Sequence, residues 1–486
     1  MKPESSGPIA KLRDKDRALI WLVACLTLGV ALVFLFPDSC QQDGGYHFLF
    51  ARWAWKHPEL FVGVWARPLF TTLYALPALG GYPAAKLLTV AISLATAWQS
   101  FQLADELRLK RPELAIPLLF VQPSFFIISA DTMTEPVFGL IFVTALRLHY
   151  LGRIRTGMLL ASLLILARPE GFFLGVLWAF WVLKDSRVER SWWRRIPTLA
   201  LLATGSLVWW LAALLVTGDP AFILHNWPSN WPLTGTIYGS GSWSSFLIRL
   251  PEIVGPLLIP TFLAGLWTLL RRSESREITS TFLLFFALHT VMRKFGLLGS
   301  AGYPRYFVAI SPAIAVITLV GWNSADTALG WLSPKLKTAL ATLVLILSAG
   351  LCFAYFDGAE WIRDTRAVAE MHRWYEQNPR MIQKLLWSQA YMCIVFDRDP
   401  WENLTFTGNR ERDLQALRSM PAGTLVFWDE RFGPKWQGLN ASDFTEAGYE
   451  SLYRQEFLLR GYVLPRSFFG FGGPRRQVMY FFYKGG

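Results

Sequence analysis

Long apolar segments alternate with short polar turns through the first 356 of the 486 residues. A helix needs an apolar run of about 20 residues to cross the hydrocarbon core of a bilayer. The runs lie at 18–36, 84–104, 114–128, 136–151, 157–183, 197–216, 253–270, 278–292, 307–320 and 338–356. Residues 157–183 fit one long helix or a hairpin bent at Arg168-Pro-Glu-Gly, and we choose the hairpin because proline breaks helices and both flanks are basic. The pattern therefore predicts a polytopic α-helical membrane protein with about eleven transmembrane helices.

The charge distribution agrees with this topology. Only 17% of the residues are charged, below the roughly 25% typical of soluble domains. The net charge of +12 comes from basic residues in the short turns between alternate runs, which is typical of cytoplasmic loops. Orientation in the membrane therefore explains the excess of basic residues better than nucleic-acid binding does.

The composition changes after residue 356, where charged residues become frequent and no further apolar run occurs. Helices are predicted at 366–377 and 410–420, and strands at 390–396, 424–428, 449–457 and 478–483. We therefore predict a transmembrane domain at 1–356, with an external first loop at 37–82, and a small α/β domain at 357–486. The span count places this second domain outside the cytoplasm. Cys40 of the first loop and Cys393 would then lie on the same side of the membrane, so a disulfide between them is left open.

Ionisable side chains collect in the turns that this topology places outside the cytoplasm. They are Asp38, Asp43, Tyr46, His47 and Arg67 in the first loop, Asp131 and Glu135 in the next turn, Arg168 at the hairpin, His225 in the 217–252 loop, and Lys294 and Arg305 before the 307–320 run. Ionisable groups at a membrane are costly and usually functional. A transporter more often buries such groups near the midplane, so their position at the rim favours chemistry on a lipid-borne group.

Transfer of a sugar would use both kinds of charge. A carboxylate can take a proton from the acceptor, and cationic groups can hold a phosphate leaving group. We predict Asp43 as the base and Glu135 as a second carboxylate that orients the acceptor or a divalent metal, with Asp38 and Asp131 as further catalytic candidates.

The remaining candidates are predicted to bind the substrate. They are Arg67, Arg168, Lys294 and Arg305 for phosphate, with Tyr46, His47 and His225 beside them. Each candidate has a structural alternative: acids between helices serve as caps, Arg168 suits a helix C-terminus, and Arg67 and Arg305 suit interfacial anchors. No Cys/His set has the spacing of a zinc site, and no Walker or Gly-x-Ser-x-Gly motif is present.

The order of these motifs resembles the GT-C superfamily of polytopic glycosyltransferases, and most nearly its protein O-mannosyltransferase and aminoarabinose-transferase branch. The motifs are Asp43-Gly-Gly-Tyr-His, Trp65-Ala-Arg-Pro, Asp131-Thr-Met-Thr-Glu-Pro, Ala167-Arg-Pro-Glu-Gly and Tyr303-Pro-Arg-Tyr. The resemblance implies inverting transfer from a polyprenyl-phosphate-linked sugar to an extracytoplasmic lipid, glycan or protein. It also implies a bacterial inner membrane, or the endoplasmic reticulum in a eukaryote.

The resemblance further implies that an acid of the first loop is catalytic, which by position is Asp43. Many family members carry two adjacent acids there, whereas Gly44 follows Asp43 in this chain and the nearest other acid is Asp38. The base is therefore left open between these two residues. The alternative functions are a transporter or flippase of a lipid-linked saccharide, and a membrane sensor or scaffold that works through residues 357–486.

Overall fold

A computed structural model describes residues 8–185, 191–228, 238–272, 275–387, 389–402, 409–459 and 475–485. Its helices are α1 (Pro8–Leu35), α2 (Gln42–Trp53), α3 (Pro68–Leu79), α4 (Tyr82–Glu106), α5 (Ala115–Phe120), α6 (Pro123–Ile128), α7 (Glu135–Tyr150), α8 (Ile154–Ala161), α9 (Leu164–Ala167), α10 (Gly171–Lys184), α11 (Trp192–Ala200), α12 (Thr204–Thr217), α13 (Phe222–His225), α14 (Ser245–Ile248), α15 (Leu250–Val254), α16 (Ile259–Leu270), α17 (Arg276–Phe295), α18 (Ser311–Ala328), α19 (Pro334–Gly358), α20 (Glu360–Gln377), α21 (Ala390–Val395), α22 (Arg410–Ser419) and α23 (Ala441–Glu446). The middle of the predicted 217–252 loop lies outside the described residues.

The helices of the first domain are those of an integral membrane protein. Within the described ranges, five are long and apolar enough to cross a bilayer: Asp14–Leu35, Tyr82–Glu106, Arg195–Thr217, Pro304–Ala328 and Pro334–Asp357. Four shorter apolar helical segments accompany them, at Pro68–Leu79, Ile154–Ala167, Gly171–Lys184 and Pro256–Leu270. The total of eleven spans stays a prediction, because a short helix crosses a membrane only together with its neighbours.

Proline and glycine interrupt two of the predicted runs. The break at 168–170 is confirmed, since α9 ends at Ala167 and α10 begins at Gly171. A Cβ on Gly171 would lie 2.4 Å from the carbonyl carbon of Leu164, so the two helices approach too closely for any larger residue. The 114–128 run is likewise divided into α5 and α6, with Gln122 in an extended conformation before Pro123. A residue before proline avoids the helical region, which explains this second break.

Helices α16 and α18 pack backbone against backbone in the membrane domain. A Cβ on Gly265 would lie 1.8 Å from the carbonyl oxygen of Ile317, and one on Gly321 would lie 1.7 Å from that of Thr261. Small residues permit such close approach where lipid removes the hydrophobic drive for helix association. This contact stabilises α18, and the segment just before α18 carries Arg305.

The C-terminal part forms a four-stranded sheet with the order β1-β2-β4-β3. Its strands are β1 (Lys384–Trp387), β2 (Thr424–Asp429), β3 (Glu450–Leu459) and β4 (Arg475–Lys484). β1 and β2 are parallel, and the other two pairs are antiparallel. The predicted strand at 390–396 is wrong, because these residues form α21 and the first strand lies just before them. A short apolar run does not distinguish a buried helix from a strand.

The C-terminal part packs on the first loop of the membrane domain. The amide of Gln42 on α2 donates to Gln389 over 2.6 Å, and a Cβ on Gly45 would lie 3.4 Å from the Cβ of Ala390 on α21. A second contact joins His57 to Asp399, with 2.9 Å between Nε2 and Oδ2. The helix that carries Asp43 therefore packs against the C-terminal part of the chain.

The cysteines are all free and buried, so the open question of a bridge between Cys40 and Cys393 is answered in the negative.

Candidate active site

Arg305 joins the first loop to the segment that precedes α18. Its Nη2 pairs with Oδ2 of Asp43, and its Nη1 donates to the side-chain oxygen of Gln41 over 2.8 Å. Asp43 lies in the first turn of α2 with 40% of its side chain exposed, whereas the side chain of Arg305 is 11% exposed. The guanidinium therefore fixes one carboxylate oxygen of Asp43 while the residue stays accessible.

Two further ion pairs extend this contact inward. Nη1 of Arg168 lies 2.7 Å from Oε1 of Glu135, and its Nη2 lies 2.9 Å from Oε1 of Glu170. Nε of Arg305 lies 3.9 Å from the same oxygen of Glu135, whose side chain is fully buried. Asp43, Arg305, Glu135, Arg168 and Glu170 thus form a continuous chain of opposite charges, which we call the charge cluster.

Arg67 adds a third guanidinium beside the charge cluster. It is buried, and its backbone is left-handed (φ 62°) directly before Pro68, a conformation that is uncommon outside glycine. Burial and the nearby Arg168 lower its pKa to about 10, against the opposing effect of Glu170, Glu135 and Asp43. With Arg67, three guanidinia face the three carboxylates of the cluster.

Aromatic side chains enclose these charges. His47 is buried with its ring 5.4 Å from that of Phe70, and burial together with the neighbouring arginines holds its pKa well below the ordinary value, so its imidazole is neutral. The ring of Tyr46 lies 4.9 Å from Trp65 of the first loop and 5.6 Å from Trp387 of the C-terminal sheet. Both candidates therefore line the site as largely uncharged aromatic groups.

Sequence reasoning assigned no role to three tyrosines and a glutamine that border the cluster. The guanidinium carbon of Arg305 lies 4.7 Å from the ring centroid of Tyr303, and that of Arg168 lies 5.7 Å from the ring of Tyr306. Tyr238 is within electrostatic range of Asp43, and Gln41 bonds Arg305 as described above. The Tyr303-Pro-Arg-Tyr motif could have indicated a role for Tyr303 and Tyr306. No sequence pattern indicated one for Tyr238 or Gln41.

Asp131 lies behind Asp43 and supports the backbone of the first loop. It is 4% exposed and accepts hydrogen bonds from the backbone N–H of Gln41 (2.8 Å), the N–H of Thr132 (2.7 Å) and the hydroxyl of Tyr82 (3.0 Å). Burial raises its pKa, although the nearby lysine and these hydrogen bonds oppose the shift. Thr132 in turn donates to the carbonyl oxygen of Gly44 over 2.7 Å. Residues on both sides of Asp43 are therefore held by this turn.

Three candidates make their contacts elsewhere. Asp38 accepts a hydrogen bond from Tyr391 over 3.0 Å, which directs its side chain to the C-terminal domain. His225 is exposed and pairs with Asp219, with 2.7 Å between Nδ1 and Oδ2. Lys294 is half-buried near the end of α17, and its side chain makes no hydrogen bond or ion pair with any residue that the structure describes. The structure therefore does not bring these three residues into the charge cluster.

The sequence left undecided whether the protein binds a divalent metal ion. Within the described ranges, no group of three or more His, Cys, Asp or Glu side chains is arranged to hold a metal ion. The carboxylates of the charge cluster instead lie against arginines.

This chain shares its overall fold with a membrane protein of solved structure. No protein-family model matches the sequence, and no curated protein matches it. Among solved structures, it is similar to ArnT from Cupriavidus metallidurans bound to undecaprenyl phosphate, at 11% identity and a TM-score of 0.56 over 95% of this chain and 97% of that one. The apo state of the same ArnT matches at 12% identity and a TM-score of 0.59, over 95% and 98%. At this level of identity the likeness shows the fold.

Proposed function

We propose that this protein is a GT-C-type glycosyltransferase that moves a sugar from a polyprenyl-phosphate carrier to an extracytoplasmic lipid, glycan or protein. The observation that carries the proposal is the charge cluster, which unites acids and guanidinia from four separated parts of the chain. The likeness to an ArnT that binds undecaprenyl phosphate supports a lipid phosphate as the donor's leaving group. A bacterial inner membrane is the location that this relative favours.

Asp43 is the proposed base. Its side chain is 40% exposed, whereas Glu135 is fully buried and the side chain of Glu170 is 11% exposed, so an acceptor reaches Asp43 most readily. Asp38, the other candidate of the first loop, contacts Tyr391 of the C-terminal domain. Asp131 is proposed as a positioning residue, because its oxygens are occupied by the loop that it supports.

The ion pair between Asp43 and Arg305 suggests how the reaction is stabilised. The acceptor oxygen or nitrogen bonds to the anomeric carbon, the bond from that carbon to the phosphate oxygen breaks, and the acceptor's proton moves to Asp43. Asp43 thereby loses its charge while the leaving phosphate gains one. Arg305 is then free to pair with the phosphate, and Arg168 within the cluster and Arg67 beside it lie close enough to contribute. A single displacement of this kind inverts the configuration of the sugar.

Replacement of the proposed base tests this mechanism. Asp43→Asn in the full chain, reconstituted in vesicles with labelled polyprenyl-phosphate sugars and a lipid extract as acceptor, should lower the transfer rate by roughly 10²–10⁴-fold, the usual contribution of a general base. Asp38→Asn is the matched variant and should retain transfer. Both variants should still bind the donor and unfold cooperatively, which would show that a loss of transfer is not a loss of folding.

Other outcomes would separate the alternatives. Transfer that survives Asp43→Asn and is lost in Asp38→Asn would assign the base to Asp38. A flippase would move labelled lipid across the vesicle without cleaving it. A scaffold would tolerate simultaneous loss of Asp43, Glu135 and Arg67, yet would fail without residues 357–486.

A further inference from the structure

His289 is a buried histidine that the proposed mechanism does not use. It lies on α17 with 1% of its surface exposed, and neither ring nitrogen has a hydrogen-bond partner among the described residues. Burying a polar group without a partner costs stability, and native proteins keep few such groups. A histidine with two unused nitrogens therefore indicates a role outside packing.

The imidazole of His289 borders the charge cluster. Its ring stacks on Tyr306 with 5.0 Å between centroids and 20° between planes, and the guanidinium of Arg168 contacts the same tyrosine ring at 5.7 Å. His289 is also within electrostatic range of Glu170 and Arg168. Oε2 of Glu170 likewise has no hydrogen-bond partner among these residues, whereas its Oε1 pairs with Arg168. Unused donor and acceptor atoms of two buried side chains thus lie in one region.

Three phenylalanine rings also pack around His289, and they offer it no hydrogen-bonding group. The rings of Phe285, Phe307 and Phe246 lie 5.6, 5.8 and 6.0 Å from its own. Phenylalanine at this position would complete the aromatic wall without an unbonded polar atom. Function therefore explains the imidazole better than packing does.

We propose that His289, together with Oε2 of Glu170, binds hydroxyl groups of the sugar that the lipid phosphate carries. A neutral imidazole offers one donor and one acceptor, which suits a hydroxyl group, and a carboxylate oxygen accepts from a second hydroxyl. The phosphate itself has the three guanidinia of Arg67, Arg168 and Arg305. This inference rests on the proposed function and adds to it the residue that recognises the sugar.

Phenylalanine at position 289 is the first test. His289→Phe keeps an aromatic ring but removes both nitrogens, so the KM for the sugar donor should rise about tenfold or more, the equivalent of one hydrogen bond of ~1.4 kcal/mol. The unfolding temperature of the unliganded variant should equal or exceed that of the wild type, which a structural role would not produce. His289→Asn and His289→Gln, which restore one polar group, should recover part of the affinity.

His149 supplies the matched control. It is a buried histidine on α7, with its ring 6.2 Å from both Trp178 and Trp181 and its Nε2 3.7 Å from Asp185. His149→Phe should leave the KM for the donor unchanged. A folded His289→Phe variant with the wild-type KM for the donor would overturn the proposal, whether or not that variant is less stable than the wild type.

A measurement on the wild-type chain decides the matter if His289→Phe does not fold. The protein has only six histidines, so nitrogen-15 labelling of histidine gives few ring resonances, and His289→Asn assigns that of His289. The polyprenyl-phosphate sugar should shift the His289 resonances, whereas the same lipid phosphate without sugar should not. Equal shifts with both lipids, or none with either, would overturn the inference. A wild-type chain that binds the donor and shows the sugar-specific shift without transfer would contradict the proposed transferase alone.

Discussion

Glu135 gives the sharpest test of how the charge cluster works. Its carboxylate is fully buried, 2.7 Å from Arg168 and 3.9 Å from Arg305. Glu135→Gln keeps the shape of the side chain but removes its charge, so two buried guanidinia lose part of their compensation. Breaking a buried ion pair by removing one partner costs about 3–5 kcal/mol. Because glutamine still accepts a hydrogen bond, we expect a loss near the lower limit, roughly 3 kcal/mol in the free energy of unfolding.

A bound phosphate should compensate for that loss. If the guanidinia bind the lipid phosphate, undecaprenyl phosphate returns a negative charge to the cluster, and Glu135→Gln gains more from the ligand than the wild type does. At a lipid concentration 100 times the Kd of the Glu135→Gln variant, the bound lipid stabilises the folded variant by about 2.7 kcal/mol. This gain nearly offsets the expected loss in the free energy of unfolding. The assay is equilibrium unfolding of the full chain in detergent, with and without undecaprenyl phosphate.

Glu113 is a matched control outside the cluster. Its buried side chain lies 3.7 Å from Arg17 and 3.6 Å from Arg111, both half-exposed. Glu113→Gln should cost only about 1 kcal/mol because solvent screens these pairs, and undecaprenyl phosphate should stabilise this variant no more than the wild type. The reasoning is refuted if Glu135→Gln is as stable as the wild type, or if the lipid stabilises both glutamine variants equally.

Two further predictions concern the first loop. Asp131→Asn should cost roughly 2–3 kcal/mol and lower kcat, because the amide cannot accept from the N–H groups of both Gln41 and Thr132; unchanged unfolding and transfer rates would show that other contacts hold the loop. Burial raises the pKa of Asp399, but hydrogen bonds, above all from His57, outweigh it and leave the pKa below its ordinary value. The stabilisation from Asp399 is therefore present above about pH 3.9 and is lost as pH falls through the lowered pKa, so Asp399→Asn should be less stable than the wild type near neutrality and equal to it in acid. A constant difference across pH in unfolding measurements would contradict this assignment.

The sequence by itself determined the architecture of the membrane domain to a large extent. Apolar runs of bilayer length placed α1, α4 and α19, and Pro169 with Gly171 placed the break between α9 and α10. These signals are local, because the length of a helix and the restriction of a proline act within a few residues. The order of acidic and basic motifs also indicated a fold that this chain shares with ArnT.

Only the tertiary structure decided which candidates meet. Arg305 and Asp43 are 262 residues apart in the chain, and nothing in the local pattern distinguishes Asp43 from Asp38, which contacts the C-terminal domain, or from Asp131, which supports the loop. Packing likewise made α21 a helix against α2, where a short apolar run had predicted a strand. An ion pair depends on the position of its two groups in space, and that position follows from contacts between segments that sequence periodicity does not encode.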